Sequence, residues 1–221
     1  VKFSEQYYHN NLGIINNLLL LKKKLTPFIF SSSATVYDYK KKPPYLENDP
    51  VAPINPYGST KLLGEKILKD VSDHNNFKAI SLRYFNPIGA HSSGKIGEDP
   101  TMFPNNLMPY LIDVASKKKP FLNIFGNEYP TRDGTGVRDF IHVIDIARGH
   151  IAALLYTKKM KSNFEVFNLG TGKGTTVLKL VNVFKKVNKA KQVRNPKTNV
   201  KLFKEENYKL HFKTGKILHS K

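Results

Sequence analysis

The sequence predicts an α/β protein built on a parallel sheet. Two short apolar runs and the amphipathic helix between them carry this prediction: residues 28–30, residues 79–84, and a helix marked by Leu63, Ile67 and Val71. Short apolar runs that end at polar residues are typical of buried parallel strands. A helix between two such strands forms a βαβ unit, whose strands lie parallel in one sheet.

The first part of the chain alternates helix and strand. Apolar residues at helical spacing predict a helix over residues 12–21, which ends at a lysine run and a proline. The strand over residues 28–30 ends at the serines of residues 31–33. A loop rich in proline then leads to the amphipathic helix, and the strand over residues 79–84 ends at Asn86-Pro87.

The middle of the chain has a different composition. From Asn86 to Asp139 it is rich in Gly, Pro and Asn, which indicates an inserted lobe with one helix around 107–116 and one strand at 122–125. Regular alternation then resumes, and after Lys189 the pattern decays. The resumed elements are a helix near residues 145–156, a strand at 166–169 and a helix with Val177, Val181 and Phe184 on one face.

Composition narrows the class of protein. A chain of 221 residues suits one domain, or one domain with a small second lobe. It contains no apolar run of about 20 residues, so we expect no membrane span. It contains no cysteine, which excludes disulfides and thiolate metal sites, and we predict no metal site. The default location is the cytoplasm.

The chain is strongly basic, with 36 Lys and Arg against 17 Asp and Glu and a net charge of +19. A basic surface can serve a nucleic-acid partner. Here the basic runs at 22–24, 40–42 and 117–119 fall between apolar segments, with few aromatic residues among them. This distribution is typical of exposed helix ends and loops, so we expect no nucleic-acid partner. An anionic small ligand would be attracted by the same charge.

The spacing of Tyr57 and Lys61 at the start of the amphipathic helix favours catalysis. Residues four apart share one helix face. A free tyrosine has a pKa near ~10, and a neighbouring ammonium can lower that pKa by about 1 to 3. The alternative is that Tyr57 caps the helix entry and Lys61 faces water. Ser33 favours the catalytic interpretation, because it follows a parallel strand, where open α/β sheets bind ligands.

Several stretches around these residues resemble a known family. FIFSSSATVY from Phe28, NPYGSTK from Asn55 and LRYFNPIGAH from Leu82 occur in order and are similar to the extended short-chain dehydrogenase/reductase family. Within that family the UDP-glucose 4-epimerases also resemble the stretches GEDP from Gly97, PNNLMPY from Pro104 and DGTGVRDFIHVIDIARGHIAAL from Asp133. The resemblance covers roughly Tyr7 to Val187.

The resemblance implies a reaction and roles for three residues. The reaction is the interconversion of UDP-glucose and UDP-galactose by reversible oxidation at carbon 4, with NAD as cofactor and a UDP-sugar as partner. Ser33 would bond the sugar 4-hydroxyl, Tyr57 would take its proton, and Lys61 would hold the nicotinamide ribose and lower the tyrosine pKa. The family also allows a homodimer.

The resemblance also assigns binding residues. The cofactor set is Asn10, Ser31, Tyr57, Lys61, Tyr84 and Phe85. The substrate set is Ser33, Asn86, Asn106, Leu107, Asn123, Phe125 and Arg138, with Asn123 and Phe125 beside the uracil and Arg138 at the phosphates. Taken singly, the asparagines could be turn formers and Arg138 could pair with Asp139 on the surface.

The family also suggests a division of the chain. Residues 1–86 and 140–190 would be the remainder of a Rossmann-type, doubly wound NAD-binding domain, and residues 87–139 a small sugar-nucleotide lobe. Residues 191–221 form a divergent tail. Intact members begin with a strand, a glycine-rich turn and a helix that receives the NAD pyrophosphate, and we find no such segment. We therefore expect an incomplete chain with negligible epimerase activity alone.

Two other features invite a functional interpretation. The glycine-rich stretch 170–174 fits neither G-x-G-x-x-G nor the P-loop pattern, so we interpret it as the end of a late strand. His142 and His150 lack the spacing of a metal site, and we interpret them as structural.

Three interpretations therefore compete: an epimerase, a truncated sugar-nucleotide-binding or interaction module without catalysis, and a related NAD-dependent epimerase or dehydratase. Ala34-Thr35 stands where a dehydratase would carry an acid/base pair, which argues against a dehydratase.

Overall fold

The structure is a computed structural model, in which the described residues are 4–23, 25–98, 106–116, 118–124, 126, 128–189, 192–194 and 201–203. Five helices and eight strands are found in these ranges. The helices are α1 (Ser4–Leu21), α2 (Pro56–Asn75), α3 (Leu107–Ala115), α4 (Val143–Tyr156) and α5 (Val177–Lys189). The strands are β1 (Phe28–Ser33), β2 (Ala79–Tyr84), β3 (Asn86–Ile88), β4 (Val137–His142), β5 (Phe164–Leu169), β6 (Gly174–Thr176), β7 (Gln192–Arg194) and β8 (Lys201–Phe203).

The chain divides into two compact units. The first contains the described residues up to Phe85 together with Asp145–Gly172. The second contains Asn86–Ile144 and the described residues from Lys173 onward.

The first unit is built on a parallel sheet. Its three strands follow the order β1-β2-β5, and both neighbouring pairs are parallel. The βαβ unit predicted from the sequence is confirmed as β1-α2-β2. Ile15 of α1, Phe30 of β1 and Leu68 of α2 form a buried apolar cluster. Within the described residues β1 is an edge strand with β2 as its strand neighbour.

The start of α2 is fixed by local chemistry. Asn55 caps the helix, because its side-chain oxygen accepts a hydrogen bond of 2.8 Å from the backbone N–H of Gly58. Pro56 occupies the first helical turn, where its missing N–H costs nothing. Asn76 ends the helix in the left-handed conformation, with φ of 50°. The sequence around Tyr57 therefore specifies where the helix begins.

The second unit combines short strands with two helices. β3 pairs with β4 in parallel, and β4 pairs with β6 antiparallel. Helices α3 and α5 pack on this arrangement through a buried apolar cluster. Its members are Ile88, Leu111, Phe140, Leu180 and Val181.

One prediction for this unit was wrong. Residues 121–124 form no strand, and Leu122 instead packs against the buried cluster of the second unit, which explains the apolar run. Phe125 lies outside the described residues. Asn86 and Pro87, which follow the predicted strand at residues 79–84, are the first two residues of β3. We did not predict β4, because Arg138 and Asp139 interrupt its apolar pattern.

No helix in the described part of the chain has both the length and the apolar character that crossing a bilayer requires.

Candidate active site

The sheet of the first unit brings together the polar ends of two strands. In the parallel pairing of β1 with β2, Ser31 lies opposite Leu82 and Ser33 opposite Tyr84. The carboxyl ends of both strands therefore meet at one edge, where α/β sheets bind ligands. Helix α2 begins at this edge and contributes Tyr57 and Lys61 from its first two turns.

The predicted catalytic lysine is anchored to the serine strand. Lys61 Nζ donates a hydrogen bond of 2.9 Å to the carbonyl oxygen of Ser31. The same nitrogen lies 5.5 Å from the centre of the Tyr57 ring and 5.3 Å from that of Phe30. Lys61 and Tyr57 thus share a helix face, as their spacing predicted.

Ser33 at the end of β1 acts on the phenol of Tyr57 at the start of α2. A hydrogen bond from the Ser33 side chain acts to lower the pKa of Tyr57. Ser33 is buried, and its Oγ also accepts hydrogen bonds from the Thr35 backbone N–H at 3.2 Å and the Thr35 hydroxyl at 3.0 Å. The structure therefore brings together Ser33, Tyr57 and Lys61.

The pKa of Tyr57 is raised in this structure. Burial raises the pKa of the Tyr57 phenol above its ordinary value, and this effect outweighs the opposing Ser33 hydrogen bond. Burial also lowers the pKa of Lys61. The Lys61 ammonium, to which the resemblance assigns a lowering of the tyrosine pKa, donates its hydrogen bond to a backbone carbonyl. The phenol in this structure is therefore a weaker acid than a free tyrosine.

Tyr84 ends β2 and Phe85 follows it, and both were predicted on the cofactor side. The Tyr84 hydroxyl is 2.8 Å from Ser31 Oγ and 2.5 Å from Nε2 of His150. The backbone N–H of Phe85 donates to the carbonyl of Leu169 at 3.1 Å. We interpreted His150 as structural and missed its contact with a predicted site residue, because no sequence pattern pairs positions so far apart.

Asn10, predicted on the cofactor side, belongs to α1. Its side chain is exposed on α1. The next residue, Asn11, instead donates a hydrogen bond of 2.8 Å from Nδ2 to the Thr60 hydroxyl. Thr60 belongs to α2 and lies next to Lys61 in the chain. The asparagine that contacts the helix of the predicted catalytic pair is therefore Asn11.

A buried ion pair supports the serine strand. Glu65 on α2 and Arg83 on β2 are 4% and 5% exposed and bond through both carboxylate oxygens, at 3.0 and 2.7 Å. Glu65 also accepts from the hydroxyls of Ser32 at 2.6 Å and Ser81 at 3.0 Å. The carboxylate thus ties β1, β2 and α2 together. The sequence signal was an arginine inside an apolar strand, which we overlooked.

The second unit contains a cavity of about 180 Å³. Four predicted substrate residues line it together with apolar side chains: Asn86, Asn106, Leu107 and Arg138. Asn106 Nδ2 donates to Glu98 Oε1 at 2.7 Å, and Arg138 is exposed, with Nη1 donating to its neighbour's carbonyl at 2.9 Å. Asn123 is exposed and does not line the cavity, whereas the prediction for Phe125 falls outside the described residues.

The parallel sheet and the Ser–Tyr–Lys cluster at its edge define a Rossmann-type protein of the short-chain dehydrogenase/reductase class. The model of the NAD dependent epimerase/dehydratase family matches residues 1–170. The chain therefore belongs to the NAD dependent epimerase/dehydratase family.

Curated relatives agree with this placement. UDP-glucose 4-epimerase 2 of Arabidopsis thaliana is 52% identical over 183 residues, which are 81% of this chain and 52% of that protein. UDP-glucose 4-epimerase of Bacillus subtilis is 50% identical over 186 residues, 82% of this chain and 54% of that protein. The chain spans about half the length of the curated relatives it matches.

Solved structures show the same fold. UDP-glucose-4-epimerase from Stenotrophomonas maltophila, with bound NAD and formylated UDP-arabinopyranose, has a TM-score of 0.78 and 41% identity over 84% of this chain and 56% of that one. The enzyme from Bifidobacterium longum, in complex with NAD+ and UDP, has a TM-score of 0.76 and 44% identity over 83% of this chain and 56% of that one.

Proposed function

We propose that the protein is an isomerase that interconverts UDP-glucose and UDP-galactose by reversible oxidation at carbon 4 of the sugar, with NAD as cofactor. The observation that carries this proposal is the convergence of Ser33, Tyr57 and Lys61 at the carboxyl edge of a parallel sheet. Relatives at about 50% identity are named for the same reaction.

The first unit offers groups that fit one end of NAD. The Lys61 ammonium and the hydroxyls of Ser31 and Tyr84 form one cluster, and Ser31 is exposed at its surface. Such donors and acceptors suit the hydroxyls of a ribose and the carboxamide of a nicotinamide. When bound, NAD would supply the acceptor and donor of hydride.

Tyr57 would act as the base. In the proposed reaction Ser33 holds the sugar 4-hydroxyl, and Tyr57 takes its proton as hydride leaves carbon 4. The pKa of Tyr57, raised by burial, must fall for this role. Positive charge does this, and it would come from Lys61 and from the oxidised nicotinamide ring. After the 4-keto sugar turns over, the hydride would return to the opposite face of carbon 4 as Tyr57 gives the proton back to the 4-oxygen, and carbon 4 would be inverted.

The cavity of the second unit would hold the nucleotide. Asn86, Asn106 and Leu107 combine amide groups with apolar surface, as nucleoside recognition requires. Arg138 is exposed, and its planar guanidinium can bond phosphate oxygens in pairs. The roles of Asn123 and Phe125 beside the uracil remain sequence-based predictions.

The alternatives differ in what they require of the same residues. A dehydratase would need an acid/base pair near Ser33, and the neighbouring Thr35 offers a hydroxyl that already bonds Ser33. A binding module without catalysis would keep the nucleotide cavity and need no base. The clustering of Tyr57 with Ser33 supports catalysis over the binding module, and Ala34-Thr35 in place of an acid/base pair argues against the dehydratase.

The proposal includes a cellular setting. Interconversion of UDP-glucose and UDP-galactose belongs to galactose metabolism, and we place it in the cytoplasm. A homodimer is supported by apolar side chains exposed on α1, of which Ile14 is 57% and Leu18 48% exposed. Sedimentation of the full-length protein would test the homodimer.

Substitution of the base tests the proposed function. In the full-length protein, Tyr57→Phe should lower the rate of UDP-galactose turnover by about 10²- to 10⁴-fold, the range for loss of a general base. UDP binding measured by calorimetry should stay unchanged. Tyr8→Phe is the matched control, because Tyr8 and Tyr57 are exposed to a similar degree, at 37% and 38%.

Three further results would separate the interpretations. UDP binding with no turnover in the full-length protein without substitutions would favour the binding module. Turnover that survives Tyr57→Phe would refute the role of Tyr57 as the base. Lys61→Met should lower turnover strongly, whereas Lys66→Met, at an exposed position of the same helix, should not.

A further inference from the structure

The hydroxyl of Tyr84 lies between two polar partners. Ser31 Oγ is 2.8 Å away on β1, and Nε2 of His150 is 2.5 Å away on α4. A phenol carries one proton, so Tyr84 can donate to one partner and must accept from the other. The direction of this hydrogen-bond chain therefore depends on which nitrogen of His150 carries a proton.

The backbone of α4 determines that nitrogen. Nδ1 of His150 lies 2.9 Å from the carbonyl oxygen of Ile146, one turn earlier. A carbonyl oxygen accepts and cannot donate, so Nδ1 carries a proton, and Nε2 of the neutral ring is an acceptor. Tyr84 then donates to His150. Since hydroxyls can bond in either direction, the Tyr84 oxygen accepts from Ser31.

Ser31 connects this chain of hydrogen bonds to the candidate active site. Its carbonyl oxygen accepts the hydrogen bond from Lys61 Nζ. Of the three consecutive serines on β1, Ser31 is exposed while Ser32 and Ser33 are buried. The Ser31 hydroxyl is thus the one that a ligand can reach from solvent, and its proton is directed towards Tyr84.

We propose that His150 is a positioning residue, which acts through Tyr84 to fix the direction of the Ser31 hydroxyl beside Lys61. This inference rests on the proposed function, in which NAD meets Ser31, Lys61 and Tyr84. With its proton engaged by Tyr84, Ser31 Oγ offers a lone pair to the solvent side. A lone pair suits an amide N–H donor, such as a carboxamide.

Substitutions in the middle and at the far end of the hydrogen-bond chain, at Tyr84 and His150, test the proposal. NAD affinity is measured by calorimetry on the full-length protein, and the thermal midpoint is recorded for each variant. Tyr84→Phe and His150→Leu should each weaken NAD binding about tenfold, the effect of losing one hydrogen bond. The double variant should be no weaker than either single variant, because both break the same chain.

A conservative variant separates positioning from packing. His150→Gln places an amide oxygen that can accept from Tyr84, and it should restore NAD affinity to within about threefold, since one hydrogen bond is regained. Arg148→Gln is the control, because Arg148 is an exposed residue of the same helix, and it should leave NAD affinity unchanged. The proposal would be overturned if the losses of NAD affinity were additive in the double variant. It would also be overturned if His150→Leu bound NAD with normal affinity.

A spectroscopic measurement keeps the inference separate from the proposed function. Nitrogen-15 NMR of the His150 ring should show a protonated Nδ1, with an Nε2 resonance that moves in Tyr84→Phe. An unmoved resonance would refute the hydrogen-bond chain. A protein that shows the expected spectrum but binds no NAD would overturn the proposed function, and with it the role of His150 towards NAD.

Discussion

Replacement of Arg83 by methionine should destabilise the first unit strongly. The Glu65 carboxylate is 4% exposed, and two of its four side-chain hydrogen bonds come from Arg83. In Arg83→Met the buried charge keeps only the hydroxyls of Ser32 and Ser81. Removal of one partner of a buried ion pair costs about 3–5 kcal/mol. In a protein of this size that corresponds to a fall of roughly 6–20 °C in the thermal midpoint.

The assay is urea unfolding followed by circular dichroism, with the slope of the transition as a check on its two-state character. The double variant Glu65→Met/Arg83→Met removes both charges and should be more stable than Arg83→Met, because no unpaired buried charge remains. Ser81→Ala is a milder test and should cost about 1 kcal/mol, the value of one hydrogen bond.

Two results would refute this reasoning. One is an Arg83→Met protein whose free energy of unfolding is within about 1 kcal/mol of that of the unmodified chain. Such a result would show that water or another group replaces the hydrogen bonds to the Glu65 carboxylate. The other is a double variant less stable than Arg83→Met. Either result would mean that the ion pair does not hold β1, and the serines on it, in place.

Two further predictions concern Tyr57 and the turn around it. Burial raises the pKa of Tyr57, so its contribution to stability is full below the ordinary tyrosine pKa of about 10 and is lost as pH rises through the folded-state value. Tyr57→Phe should flatten the loss of unfolding free energy above about pH 10. Gly58→Ala would place Cβ 2.7 Å from the backbone oxygen of Thr35 and should lower stability by about 1–3 kcal/mol as well as turnover, whereas Gly13→Ala meets nothing within 4 Å and should not destabilise the chain.

The sequence determined most of the first unit because its signals are local. The apolar run from Phe28, the helical spacing of Leu63, Ile67 and Val71, and the cap at Asn55 each act over a few residues. Hydrogen bonds within a helix and the polarity of a strand end need no distant partner to be recognised. The parallel pairing of β1 with β2 followed from the helix between them.

Local sequence patterns did not predict the strands of the second unit correctly. A stretch with alternate apolar residues such as 122–124 suits a strand or a packed loop equally. Which of the two forms depends on whether a neighbouring strand is there to pair with it. In the structure Leu122 packs against a buried cluster assembled from distant segments. The strand β4 was missed for the opposite reason, because polar residues hide its pairing with β3.

The candidate site shows the same division. The four-residue spacing of Tyr57 and Lys61 could be recognised in the sequence, since residues four apart share one face of a helix. The atom to which each side chain bonds could not be predicted from the sequence. Lys61 lies against the carbonyl of Ser31, and burial moves the pKa of Tyr57 upward, because both effects come from β1 packed against α2.

Contacts between distant positions were decided by tertiary structure alone. Tyr84 and His150 lie 66 positions apart, and Asn11 and Thr60 lie 49 apart. The sequence identified the residue types and their order along each strand and helix, because those depend on neighbours in the chain. Which side chain meets which was decided by the packing of strands and helices, since a hydrogen bond depends on distances of a few tenths of an ångström that no local pattern contains.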